Sequence, residues 1–91
     1  MDTSAMLEAV KKVRGITNND FDSIITNYIL AGIADLIAVG ISAEKVLLTD
    51  PLIYSAVMSF VLSLLDTENA ELYANAYALQ KDAVRRYGIY Q

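Results

Sequence analysis

Apolar residues recur at helical spacing along most of this chain, and glycine, proline and polar residues interrupt the pattern at a few places. The first predicted helix spans residues 4–14 and ends before Gly15, with three cations in its last turn that suit the negative end of the helix dipole. The second spans residues 19–39, begins with a capping-box variant at Thr17, and ends at Gly40. The pattern therefore indicates separate helices with local start and stop signals.

The second half of the chain predicts two more helices. A short helical turn over residues 43–48 leads into a third helix over residues 51–65, which has no charged residue between Asp50 and Asp66. A helix that is apolar on every side is expected to be buried nearly all round. The fourth helix is predicted over residues 68–87, with acids in its first turns and bases in its last.

No alternating stretch is long enough for a strand, so the predicted fold class is all-α. We expect one domain over residues 1–91, a compact bundle of four main helices with one short extra turn. Gly32 interrupts the second helix, where a glycine costs about 1 kcal/mol relative to alanine. It indicates a close helix crossing, with the serine stripe of the third helix (Ser55, Ser59 and Ser63) as the candidate neighbour.

The fourth helix carries two apolar stripes side by side. One stripe contains Leu72, Ala76, Leu79 and Ala83, and the other contains Tyr73, Tyr77 and Val84. Tyrosine suits places where one end of the side chain is dry and the other is wet. Tyr73, Tyr77, Tyr87 and Tyr90 are therefore candidates both for the core and for an interface.

Composition adds that the chain has more apolar surface than it can bury. The sequence is 55% hydrophobic, whereas so small a domain buries only roughly 60–65% of its unfolded surface. The surplus of apolar surface predicts a partner protein or a membrane. Because the third helix is shorter than the ~20 residues that a bilayer requires, a protein partner is favoured. Eleven acids against seven bases give a net charge of −4, which opposes tight binding to nucleic acid.

The sequence lacks both histidine and cysteine, the usual ligands of transition metals and the usual groups of nucleophilic catalysis. We therefore predict no metal, no cofactor and no catalytic residue, so the chain is not an enzyme.

Asp35 shares a face with Asn27 and Ala31 and has no evident titratable neighbour, so it is expected to be exposed or in an ion pair between subunits. Arg85 and Arg86 fit dipole compensation or contacts with a partner's acids.

A further set of features lies along nearly the whole chain, from about Leu7 to Tyr87. These are the first-helix stretch at residues 7–12, the Asn/Asp cluster at residues 18–22, the end of the long helix at residues 36–40, the Asp50-Pro51-Leu52 start of the third helix, and Tyr73 in the last one. In the order of these features, the chain resembles the small helical head-tail connector proteins. These are the DNA-packaging or head-completion adaptors of tailed phages and prophages.

This resemblance implies a structural protein of the virion that assembles as a homo-oligomeric ring under the portal, extends the DNA channel and docks the tail. Its partners would be the portal protein and tail or head-completion proteins, with DNA only as passing cargo and no membrane. A dodecamer-like ring is one option for its size. The protein would reside in the host cytoplasm before assembly and at the head-tail junction afterwards. The candidate subunit-interface residues are Tyr73, Tyr77, Asp35, Arg85 and Arg86.

Two alternatives belong to other functional classes. One is a small helical DNA-binding regulator, in which the segment from Val13 to Ile16 is the joint of a helix-turn-helix. The other is a small enzyme or ligand-binding bundle that uses tyrosine and aspartate side chains, although the sequence has no acid and base paired at a readable spacing. Salt-dependent binding to duplex DNA would favour the first, and a small molecule retained on purification would favour the second.

Overall fold

The computed structural model describes residues 3–46, 48 and 50–86. In this part of the chain every regular element is helical, which confirms the all-α prediction. The elements are α1 (Thr3–Arg14), α2 (Asp22–Ala38), a short 3-10 helix (Ala43–Lys45), α3 (Pro51–Leu65) and α4 (Ala70–Arg86). No helix among these residues is long and apolar enough to cross a membrane.

Glycine ends both α1 and α2 in the way the sequence predicts. At Gly15, which has a φ of 69°, the amide of Ile16 donates to the carbonyl of Lys11 at 2.8 Å. The same arrangement recurs at Gly40, where φ is 101°. This Schellman pattern satisfies carbonyl groups at the helix end and needs a left-handed residue, which glycine supplies without a steric penalty.

The start of α2 differs from the prediction. The helix begins at Asp22 instead of residue 19, and Phe21 at the N-cap makes no side-chain capping bond. The amide of Asp20 instead donates to Oδ1 of Asn18 at 3.1 Å. An asparagine side chain that binds the backbone two residues on forms a turn that competes with the first helical turn. The predicted Thr17 capping box was therefore wrong.

α4 also begins later than predicted, at Ala70 instead of residue 68. Asp66 ends α3 by donating its amide to the carbonyl of Leu62 at 2.9 Å. Its Oδ1 then accepts a hydrogen bond from the amide of Asn69 at 3.1 Å. One aspartate thus closes one helix and holds the turn before the next. Residue 87, the predicted end of α4, lies outside the described residues.

α3 begins at Pro51, as predicted, and Oδ1 of Asp50 caps it by accepting a hydrogen bond from the amide of Leu52 at 2.9 Å. The helical turn that precedes it covers Ala43–Lys45 and is shorter than the predicted 43–48. Aspartate at the N-cap and proline at the first helical position are both local signals. These signals explain why the prediction for α3 was accurate.

α3 lies at the centre of the bundle and packs against α1, α2 and α4. Pro51, Ser55 and Leu64 are its exposed residues, which confirms the prediction of burial nearly all round. The core consists of Met6, Val10, Ile25, Ile29, Ile33, Leu36, Ile41, Val46, Leu48, Ile53, Ala56, Val57, Val61, Tyr77 and Val84. The molecule measures 39 × 26 × 19 Å, and a helix is about 10 Å across. It is therefore about two helices thick, and the outer helices keep one open face each.

The close crossing predicted at Gly32 exists, but its neighbour is Phe60. A β-carbon on Gly32 would lie 2.9 Å from Cδ1 and 3.3 Å from Cγ of the Phe60 ring. The serine stripe was therefore the wrong neighbour. The Phe60 ring in turn packs edge-on against Tyr77, with a centroid distance of 5.2 Å, so the absence of a side chain at Gly32 makes room for an aromatic pair that joins α3 to α4.

Candidate functional site

Large apolar side chains remain at the surface of α1, α2, α3 and α4. Among the described residues, those more than a third exposed are Val13, Phe21, Ile24, Leu30, Ile37, Leu64, Leu72 and Leu79. Single exposed apolar residues are common on soluble proteins, whereas aligned ones mark contact surfaces. The apolar surplus of the sequence is thus partly at the surface, and its arrangement on α2 and α4 identifies the candidate site.

On α2 the exposed residues Asn27, Leu30, Ala34 and Ile37 form a line that we name the α2 outer seam. Their spacing of three, four and three residues keeps them on one face of the helix. Leu30 is 50% exposed and Ile37 is 39% exposed. The opposite face is buried against the core, and α2 has no charge between Asp22 and Asp35. An outward face without charge is unusual for a helix in contact with water.

On α4 the line Leu72, Ala76, Leu79 and Ala83 forms the α4 outer seam. Leu72 is 64% exposed and Leu79 is 73% exposed. Of the two neighbouring stripes predicted on this helix, the one that contains Tyr77 and Val84 faces the core, and these two residues are buried. The leucine stripe is left outside, because α3 covers only one side of α4.

Asp35 and Tyr77, two of the predicted interface residues, meet inside one chain. The Tyr77 hydroxyl donates to Oδ2 of Asp35 at 2.5 Å, and Nζ of Lys81 donates to the same oxygen at 3.2 Å. Nζ of Lys81 also lies 5.1 Å from the centroid of the Tyr77 ring. The expectation that Asp35 has no titratable neighbour was wrong, because its partners lie on another helix, distant in sequence.

This contact changes the ionisation of both groups. The hydrogen bond from Tyr77 lowers the pKa of Asp35, Lys81 lowers it further, and burial partly opposes them. Burial and the Asp35 carboxylate raise the pKa of Tyr77 far above its ordinary value. Near neutral pH the carboxylate is therefore charged and the phenol is protonated. Such a pair ties α2 to α4 but is not poised to exchange protons near neutral pH.

The other predicted interface residues are not part of this contact. Tyr73 is half-buried, whereas Arg85 and Arg86 are exposed near the end of α4. Arg86 forms an ion pair with Asp82 at 2.8 Å, one helical turn away. Tyr87 and Tyr90 lie outside the described residues. The structure thus brings together Asp35 and Tyr77 and leaves the arginines at the surface.

Lys11 and Arg14 of α1, which were expected to compensate the helix dipole, form contacts within the chain. Nζ of Lys11, which is buried, contacts Oδ1 of Asn19 at 2.9 Å and Oδ1 of Asp22 at 3.0 Å. Arg14 contacts Oδ2 of Asp66 at 3.1 Å. Hydrogen bonds from Asn69, together with the nearby Arg14 charge, lower the pKa of the Asp66 carboxyl. These cations hold α1 against the rest of the bundle.

Open depressions lie near the α1–α2 corner. One of about 260 Å³ is lined by Arg14, Ile16, Phe21 and Leu65, and another of about 570 Å³ is lined by Glu8, Ala9, Lys11, Lys12, Gly15, Ile16 and Thr17. Within the described ranges, no three His, Cys, Asp or Glu side chains lie close enough to hold a metal ion.

Comparison of the chain with protein-family models, with curated proteins and with solved structures found no match. The function of the chain is therefore inferred from its own residues and geometry. The two outer seams are the candidate functional site.

Proposed function

We propose that this chain is a structural subunit of a phage or prophage head-tail connector, which assembles with copies of itself into a ring under the portal. The observation that carries the proposal is the pair of uncharged apolar seams on α2 and α4. Folding leaves both seams in water, so binding to another protein stabilises them through the hydrophobic effect.

Two different contact surfaces on one chain favour a ring over a two-fold dimer. A two-fold dimer uses the same patch on both subunits, whereas a head-to-tail contact uses two different patches and forms a ring when the rotation between subunits closes. The α2 and α4 outer seams lie on two different helices, each of which packs against α3. The head-tail connector resemblance described above implies the same kind of assembly, and the location at the head-tail junction follows from that resemblance.

The electrostatics are compatible with DNA as passing cargo. The net charge is −4, and Lys11, Arg14 and Lys81 each pair with a carboxylate of the same chain. Affinity for duplex DNA comes largely from cations that displace counterions from phosphates. A ring of such subunits would let DNA move through its channel without binding it tightly.

The geometry gives less support to a helix-turn-helix regulator. Such a motif joins its helices by a turn of about three or four residues, whereas the whole of segment 15–21 separates α1 from α2. Arg14, in the predicted joint, is engaged by Asp66. Duplex DNA binding that weakens steeply with salt would favour the regulator over the connector.

The proposal is tested by native mass spectrometry and negative-stain microscopy of the full chain over a wide range of protein concentrations, alone and with the portal protein from the same gene cluster. We expect closed rings of one size, formed alone at high concentration or on the portal. A variant with Leu30→Gln and Leu79→Gln is the control and is expected to remain monomeric. A wild-type chain that stays monomeric at every concentration and does not bind the portal would overturn the proposal.

A further inference from the structure

The two outer seams of one chain have matching spacing and complementary side-chain sizes. The centre of the α2 outer seam is Leu30, Ala34 and Ile37, and the centre of the α4 outer seam is Ala76, Leu79 and Ala83. The first reads large, small, large, and the second reads small, large, small. Steps of three and four residues are the spacing at which two helices pack side chains into the gaps of the facing helix.

We propose that the α4 outer seam of one copy packs into the α2 outer seam of the next copy, with Leu79 seated on Ala34. This inference rests on the proposed function and names the surfaces that join its subunits. Leu30 and Ile37 then each face an alanine of α4. The steps coincide when the two helices run antiparallel, because Leu30 lies four residues before Ala34 and Ala83 lies four residues after Leu79.

Charge is compatible with this contact. No residue of either seam is charged, so bringing them together leaves no buried charge unpaired. Two charged side chains near the seams have partners within their own copy, since Asp35 binds Tyr77 and Lys81 and Arg86 binds Asp82. Association therefore removes apolar surface from water without breaking an ion pair.

Self-pairing of the same seam fits less well. A two-fold contact of α2 with the α2 of another copy would place Ala34 near Ala34 and Leu30 near Ile37, so small residues would face small ones and leave a gap. A two-fold contact of α4 would place Leu79 against Leu79. Loss of close contact costs dispersion energy and leaves voids. The complementary pairing of α4 with α2 fills the space better.

The contact is short. Residues 27–37 span about 15 Å of helix, so one seam pair buries much less than the roughly 1,200 Å² of a stable pairwise interface. Each copy in a closed ring, however, uses both of its seams. We therefore expect few isolated dimers and cooperative assembly at high protein concentration.

A size-swap experiment tests the pairing, with assembly followed by light scattering against protein concentration. Ala34→Leu alone and Leu79→Ala alone should each raise the concentration needed for assembly about tenfold or more. The double variant should restore assembly, because large and small residues are exchanged across the contact. Ala74→Leu is the matched control, since Ala74 is exposed on α4 away from the seam, and it should leave assembly unchanged.

Disulfide cross-linking gives an independent test, because the chain has no cysteine of its own. Copies with Ala34→Cys and copies with Leu79→Cys are mixed at high concentration and oxidised. We expect a covalent pair between the two kinds of copy, and a ladder of multimers when one chain carries both substitutions. Ala34→Cys mixed with Ala74→Cys is the control and should give no such pair.

The outcomes separate this inference from the proposed function. Rings seen by microscopy without an Ala34→Cys to Leu79→Cys cross-link, or with cross-links only between two Ala34→Cys copies, would overturn the seam pairing and leave ring assembly standing. A chain that is monomeric at every concentration and does not bind the portal would overturn both. Rescue in the double variant together with the mixed cross-link would support both.

Discussion

The hydroxyl of Tyr77 donates a 2.5 Å hydrogen bond to Oδ2 of Asp35 and so joins α4 to α2 across 42 positions of sequence. The Tyr77 ring forms a T-shaped pair with Phe60 on α3, and Phe60 in turn lies against Gly32 on α2. One set of contacts therefore connects three helices. We predict that the residues of this set stabilise the fold and that the two outer seams mediate assembly.

Tyr77→Phe should lower the free energy of unfolding by about 1–2 kcal/mol near neutral pH, because it removes a hydrogen bond to a charged acceptor while the ring packing stays. Urea denaturation followed by circular dichroism measures the loss. Tyr73→Phe is the matched control on the same helix and should have less than half of this effect. Equal losses in the two variants would contradict the role assigned to the Tyr77 hydroxyl.

The same contact predicts a pH dependence. Because the pKa of Asp35 is lowered in the folded chain, its contribution is fully present above the unfolded value of about 3.9. The contribution is lost as pH falls through the lower folded value. The stability difference between wild type and Tyr77→Phe should therefore shrink between about pH 5 and pH 2, measured by urea titrations at several pH values. A difference that stays constant or grows would contradict this sign.

Gly32→Ala should lower the melting temperature, although alanine is favoured over glycine in a helix by about 1 kcal/mol. The added β-carbon would lie 2.9 Å from Cδ1 of Phe60, and the Tyr77 contact limits how far that ring can move. In a Phe60→Ala background the same substitution should raise the melting temperature, since the clash is gone. Calorimetry of the four proteins gives the coupling between the two sites. A rise in both backgrounds would contradict the close crossing.

Lys11→Ala should destabilise the chain by about 1–3 kcal/mol, because it removes a buried ammonium that holds Asn19 and Asp22. Lys12→Ala is the control at the adjacent, exposed position and should change stability by less than about 0.5 kcal/mol. Chemical denaturation measures the loss of unfolding free energy in both variants. Similar losses would indicate general dipole compensation instead of the specific contacts of Lys11.

Leu79→Gln should leave the stability of the monomer within about 0.5 kcal/mol of wild type, because the side chain is 73% exposed. It should nevertheless abolish assembly. Val84→Ala, on the buried side of α4, should do the reverse, with a loss of about 2 kcal/mol in stability and the assembly surface intact. Denaturation at low protein concentration and light scattering at high concentration measure the two properties separately.

Much of the fold was predictable from the sequence because its signals are local. Gly15, Gly40 and the Asp50-Pro51 pair each act on the few residues around them, so the ends of α1 and α2 and the start of α3 were found to within a residue. The charge-free run of α3 predicted its burial. The starts of α2 and α4 were missed because Asn18 and Asp66 side chains bind the backbone in turns that compete with helix.

The contacts between helices were decided by the tertiary structure. Helical periodicity determines which side chains share a face, but not which face is covered, because that depends on where the other helices lie. The sequence by itself therefore determined that α4 has two neighbouring apolar stripes and that Asp35 shares a face of α2 with Asn27. Only packing around α3 decided that the Tyr77 stripe turns inward, that its hydroxyl reaches Asp35, and that Leu72 and Leu79 stay outside.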